Sequence, residues 1–152
     1  MKAPVYTSMF ILFFLVFQAR SIAQVTQDKS SQVIGTWVFN FDTSIGSMDE
    51  KAKNHYVKMG VERQEKVKRA YQNRIITFGP DGDFAQELSD GRTVKGTWQI
   101  NKNKLIEITS PNGSTIAFKI KELNAGVLII SRVKTDNNKM NMLMSDWYLT
   151  RG

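Results

Sequence analysis

Residues 74–134 read RIITFGPDGDFAQELSDGRTVKGTWQINKNKLIEITSPNGSTIAFKIKELNAGVLIISRVK. Short runs rich in β-branched and aromatic residues alternate with clusters of Pro, Asp, Asn and Gly: RIITF, DFAQEL, RTVKGTWQI, KLIEIT, STIAFKIK and VLIISRVK. Between them lie Pro80-Asp81-Gly82, Ser89-Asp90-Gly91, Asn101-Lys102-Asn103, Pro111-Asn112-Gly113 and Asn124-Ala125-Gly126, residues that tolerate positive φ or initiate turns. Even spacing of short strands and tight turns is the pattern of consecutive antiparallel hairpins. After Asp136-Asn137-Asn138, a further run, MNMLMSDWYL, reads as one more strand.

Upstream, Ile34 to Thr43 (IGTWVFNFDT) puts Trp37, Phe39 and Phe41 on one face at the two-residue period, which brings the expected strands to eight. Eight antiparallel strands with short connections predict an all-β, up-and-down barrel, since closure removes the exposed edges that template aggregation. A two-sheet sandwich is the alternative. The one long connection, between the first and second strands, predicts a helical insertion. Ser47-Met48-Asp49-Glu50 fits a capping box, Ala52, Tyr56 and Met59 recur at helical spacing, and Glu62/Lys66 and Glu65/Arg69 are acid-first pairs four residues apart. Gly60 leaves open whether the stretch is one helix or two. At an open barrel end the insertion would form a lid whose apolar stripe needs a surface to bury.

The N-terminus has a separate logic. Lys2 is followed by the apolar run Met9 to Phe17, and Ser21-Ile22-Ala23 precedes Gln24, so residues 1–23 are expected to be a signal peptide cleaved after Ala23. The run is too short for a bilayer core, which takes about 20 residues. Residues 24–32 then form a polar leader, expected to be flexible, and 33–152 the single barrel domain. Loss of Lys2 and Arg20 from 21 basic residues leaves an excess of five over the 14 acidic ones. The expectation is a secreted or periplasmic monomer with no transmembrane segment after cleavage. The sequence contains no cysteine, so stability must come from packing.

Gly35-Thr36-Trp37 resembles the Gly-x-Trp signature of lipocalins. Phe78-Gly79-Pro80-Asp81-Gly82-Asp83-Phe84 and Gly96-Thr97-Trp98 are similar to the second and fourth strands of exported bacterial lipocalin-like domains, over residues 33–151. The resemblance implies a barrel that binds a small ligand without transforming it, and an arginine late in the chain packed across the signature tryptophan. Arg151 is placed to match it, and a cation over an indole contributes about 0.5–2 kcal/mol. The chain departs from the secreted lipocalins in having no disulfide and in its helical insertion, which looks more like the portal of fatty-acid-binding proteins. Their Arg-x-Tyr carboxylate clamp is absent from the last strand.

Taking the apolar face of each run as inward, the ligand-binding candidates are Trp37, Phe39, Phe41, Phe78, Phe84, Trp98, Phe118, Met142 and Met144. Tyr56 and Met59 join them from the insertion, and Ile76, Leu88, Ile106, Ile108, Ile116, Leu128 and Ile130 complete the expected lining. Such a lining either encloses a cavity for a small hydrophobic or amphipathic molecule or fills the lumen, leaving an interaction module that contacts another cell-envelope protein.

No enzymatic activity is expected. The one histidine, His55, has no motif partner, and Asp42, Glu87, Glu107 and Asp146 are separated by strands. Met140, Met142 and Met144 alternate in a way that would suit Cu(I), but methionine is first a filler of irregular apolar space, so no metal or cofactor is expected. Lys51, Lys53, Lys58, Arg63, Lys66, Lys68, Arg69 and Arg74 make the insertion basic. That face is either merely solvated or steers an anionic amphiphile toward a portal. No basic stripe interleaved with aromatics marks a nucleic-acid surface.

Overall fold

A computed structural model describes residues 29–133 and 143–152. Eight strands occur among them: β1 Gly35–Phe39, β2 Ile75–Phe78, β3 Asp83–Glu87, β4 Thr93–Ile100, β5 Leu105–Thr109, β6 Thr115–Leu123, β7 Val127–Arg132 and β8 Asp146–Arg151. Each pairs antiparallel with its sequence neighbours, and β8 returns to β1, so the sheet closes into an up-and-down barrel. One bulge, between Ile120 and Glu122 of β6, shifts the register against β7. The expected signal peptide, Met140 and Met142 lie outside the described residues.

Three helices separate β1 from β2: α1 Phe41–Gly46, α2 Glu50–Val57 and α3 Val61–Tyr71. The first strand therefore ends four residues before the expected Thr43. The Asn40 side chain accepts a hydrogen bond from the Thr43 N–H at 3.0 Å and caps α1. A side chain that satisfies the helical N–H groups locally competes with the β ladder. The cap of α2 is also displaced, from Ser47 to Asp49, whose carboxylate accepts from the Ala52 N–H at 2.7 Å. Ser47 is occupied in closing α1 and donates to the Ser44 carbonyl. Gly60, extended at φ −61° and ψ 152°, separates α2 from α3, so the insertion is two helices here and not one.

The barrel has two unlike ends. At the floor, β1 begins and β2 and β8 finish, with Gly35 opposite Phe78 and Trp37 opposite Arg151. At the other end the chain leaves β1 for the helices, and β7 finishes where β8 will begin. Residues 29–33, expected to belong largely to the flexible leader, are helical and lie against the floor: Val33 is fully buried and its carbonyl accepts from the Trp37 indole N–H at 2.8 Å.

Candidate functional site

Strand pairing identifies the inward face without ambiguity, because paired residues point to the same side of a sheet. Starting from the buried Trp37, the registers carry inward Ile76 and Phe78 of β2, Phe84 and Gln86 of β3, and Val94, Gly96, Trp98 and Ile100 of β4. They continue through Ile106 and Ile108 of β5 and Ile116, Phe118 and Ile120 of β6, to Leu128, Ile130 and Arg132 of β7. Trp147, Leu149 and Arg151 of β8 complete the circuit.

The floor is built around Trp37, which has no exposed surface. The Arg151 guanidinium lies 4.3 Å from the centre of its ring. Three backbone carbonyls hold that guanidinium: Ala125 accepts from Nε at 2.9 Å, Ile34 from Nη1 at 3.1 Å and Gln32 from Nη2 at 3.0 Å. Gly35 has φ +137°, and a Cβ there would collide with Arg151, so the glycine of the signature makes room for the cation over the indole. Phe78, Phe84 and Trp98 pack beside this group, with Phe78 tilted against Phe84 at 5.7 Å and edge-on to Trp98 at 5.1 Å, and Trp98 donates its indole N–H to the Gly79 carbonyl.

Toward the helices a second aromatic group forms. Trp147 meets Phe39 edge-on at 5.9 Å and Phe118 at 5.1 Å, and Tyr71 of α3 reaches down to Phe39 at 5.9 Å. Arg74 covers the outer side of Tyr71, its guanidinium 4.0 Å from the ring centre. Neither α2 nor α3 contains a fully buried residue, and Val57 and Val61 at their junction are 72% and 76% exposed. Along α3, Met59, Arg63, Lys66, Val67, Ala70 and Tyr71 border a groove of about 400 Å³. Val94, inward by register, is 42% exposed, so the wall beside β3 and β4 is open to solvent at this end.

Of the expected ligand residues, Trp37, Phe39, Phe78, Phe84, Trp98 and Phe118 come together on the inward face. Tyr56 and Met59 are half-buried on the helical side, and burial, reinforced by the charges of Glu65 and Asp42, raises the Tyr56 phenol above its ordinary value. Phe41 departs from expectation. It opens α1 instead of continuing the strand face, and borders a depression of about 250 Å³ outside the wall with Asp42, Gln72 and Thr150. Met144 is buried but precedes β8 and lines no strand, while Met142 falls outside the described residues.

Sequence reasoning missed Gln86, Val94, Ile100, Ile120, Arg132, Trp147 and Leu149. The signal for the last two was present: an inward Arg151 requires Leu149 and Trp147 to be inward as well, the opposite phase from the methionine run.

The acidic candidates do not converge. Glu87 and Glu107 face outward, and Glu107 accepts from Gln99 and Asn101. Asp42 lies on α1, and His55 is exposed on α2. Asp146, also outward, pairs with Lys121. Burial alone would raise its carboxyl, but Lys121 and the nearby Ser131 and Ser145 hydroxyls hold it below the ordinary range, although one buried oxygen has no hydrogen bond of good geometry. Among the described residues no three side chains group as a metal site, and no helix is long and apolar enough to cross a membrane.

A model of the lipocalin-like domain matches residues 33–130, from the buried Val33 through β6 and the first four residues of β7. The chain belongs to the lipocalin-like domain family. Comparison with curated proteins and with solved structures gave no match. The matched segment contains the Gly35-Thr36-Trp37 signature, while Arg151, which covers that tryptophan, lies beyond it in β8. A lipocalin-like barrel is generally the scaffold of a binding protein, and its apolar interior suits a hydrophobic ligand.

Proposed function

We propose that the mature protein is a secreted or periplasmic, non-enzymatic carrier that holds a small hydrophobic or amphipathic molecule in the barrel lumen. The observation that supports this most directly is the composition of the inward face. It is apolar from floor to helices except for Arg151, held over Trp37 at the floor, and a few polar side chains near the helical end, where Val94 stays exposed and α2 and α3 bury no residue. Binding would draw on apolar burial at about 25 cal/mol per Å², with the few polar groups fixing orientation. The half-buried faces of α2 and α3 cover the entrance, and their basic residues favour an anionic approach.

Native mass spectrometry of protein made from the full chain in a secreting host tests both parts. Cleavage after Ala23 is expected in the exported product, with a small apolar molecule released by organic extraction. Retention of residues 1–23 would overturn export. Repeatedly empty protein, with no thermal shift across lipids and apolar metabolites, would replace the carrier by a filled-barrel module that contacts another envelope protein.

A further inference from the structure

Charge is distributed unevenly along the chain. Residues 50–74, which form α2, α3 and the link to β2, contain eight basic and three acidic side chains, whereas the remainder of the chain beyond residue 23 contains eleven of each. The helical insertion therefore holds the whole positive excess of the expected mature protein, and the rest of that protein is balanced. Lys51, Lys53, Lys58, Arg63, Lys66 and Arg69 are exposed, and none of them forms an ion pair among the described residues.

Apolar side chains accompany this charge at one place. Val57, the last residue of α2, and Val61, the first of α3, are 72% and 76% exposed, the most exposed of the large apolar side chains described. The turn between them is a built corner, because the Gln64 side-chain amide donates to the carbonyls of Tyr56 at 3.2 Å and Met59 at 2.9 Å. Tyr71 holds the other end of α3 against Phe39, and the length of the helix puts Val61 about 15 Å along its axis from that contact. Single exposed valines are ordinary on a protein surface. Two of them at the end of a helical pair, with cations set back along both helices, match the depth profile of a bilayer, apolar at the tip and charged at headgroup level.

We infer that the corner of α2 and α3 docks on a bilayer bearing anionic lipid, with Val57 and Val61 entering the interface and Lys53, Lys58 and Lys66 among the headgroups. Charge supplies most of the attraction, about fivefold in affinity for each basic side chain near an anionic surface, and two valines alone would not hold the protein on a neutral one. Docking goes beyond the carrier reading and stands without it. If the lumen does hold a ligand, docking sets its helical end against the membrane.

Flotation of the protein purified from a secreting host, with vesicles of phosphatidylcholine alone or containing about one third phosphatidylglycerol, provides the test. Binding is expected only with phosphatidylglycerol, and about 1 M salt should abolish it. Lys53→Gln, Lys58→Gln and Lys66→Gln together should weaken it at least about tenfold. Lys95→Gln, Lys102→Gln and Lys119→Gln remove the same charge from exposed barrel positions and should change it by no more than about threefold. Val57→Ser with Val61→Ser should weaken binding several-fold while its salt dependence persists. Tryptophan introduced by Val57→Trp should be quenched by brominated lipid, and that introduced by Val94→Trp should not. Circular dichroism and melting of each variant establish that it is folded. Failure to bind anionic vesicles at low salt overturns the docking and leaves the corner to an acidic protein surface. Equal loss from the two charge triplets, in folded proteins, also overturns it, since net charge alone would then account for the binding. Protein that docks but yields no extractable molecule and no thermal shift overturns the carrier reading and leaves the docking intact.

Discussion

The two ends of the barrel use the same chemical groups in opposite ways. At the floor, two indole N–H groups and one guanidinium find backbone carbonyls: Val33 for Trp37, Gly79 for Trp98, and Gln32, Ile34 and Ala125 for Arg151. At the helical end an indole and an amide lie without acceptors, under α2 and α3, which bury no residue. A protein gains stability by satisfying buried polar groups and sacrifices some by leaving them unpaired, so the floor is arranged for stability while the helical end keeps unmet hydrogen-bonding capacity.

The strongest way to break this contrast is to empty the floor. Trp37→Ala removes a side chain with no exposed surface, and its indole bond and its contact with Arg151 are lost with it. The expected loss in denaturant unfolding is about 3–5 kcal/mol. Gly35→Ala acts on the same group through the backbone. At φ +137° with Arg151 in the way of a Cβ, it should cost about 1–3 kcal/mol. A neutral result for Gly35→Ala would mean that Arg151 swings away without penalty and that the floor is not held as described.

How legible this was in the sequence differs between the ends. The turns Pro80-Asp81-Gly82 through Asn124-Ala125-Gly126 separate strands wherever the structure has them, because their residues accept turn geometry that strand residues resist. The floor followed from a short motif, Gly35-Thr36-Trp37, and from the position of Arg151. The helical end was harder to read. Asn40 and Asp49 shifted two helix starts by side-chain bonds that compete with other local options at nearly equal cost. Gln86, Val94 and Arg132 share the phase of Phe84, Trp98 and Ile130, yet a rule that sends polar residues outward discards two of them. A polar residue in an apolar phase is the pattern expected of a binding lumen, and it is visible only once the pairing is known.

A finer comparison exchanges the same group at both ends. Trp37→Phe and Trp147→Phe each shrink a buried ring by a similar amount, but the first also orphans the Val33 carbonyl, while the second removes a donor that had no acceptor. In ligand-free protein Trp37→Phe should therefore be the more destabilising, by about 1 kcal/mol. Equal losses in the empty protein would show that the Trp147 N–H is already satisfied.

The smallest expected effect concerns acid. Asp146 opens β8 at the helical end, and its carboxyl is held low against burial by Lys121 and two hydroxyls, whereas the polar contacts described at the floor involve no group that titrates between pH 3 and pH 5. A carboxyl depressed in the folded state contributes stability that is fully present above its unfolded value, about 3.9, and is lost as pH falls through the lower folded value. Because Lys121 is about half exposed, solvent screens the pair and the contribution is about 0.5–1 kcal/mol at neutral pH. Wild type should exceed Asp146→Asn by that margin at pH 6, with the difference shrinking below pH 4. Hydrogen exchange should show the loss first in the amides of β7 and β8 nearest the helices, while those around Trp37 keep their protection. A uniform loss over both ends would mean that the barrel opens as a single unit, and that the contrast between its ends concerns ligand chemistry without a matching difference in local stability.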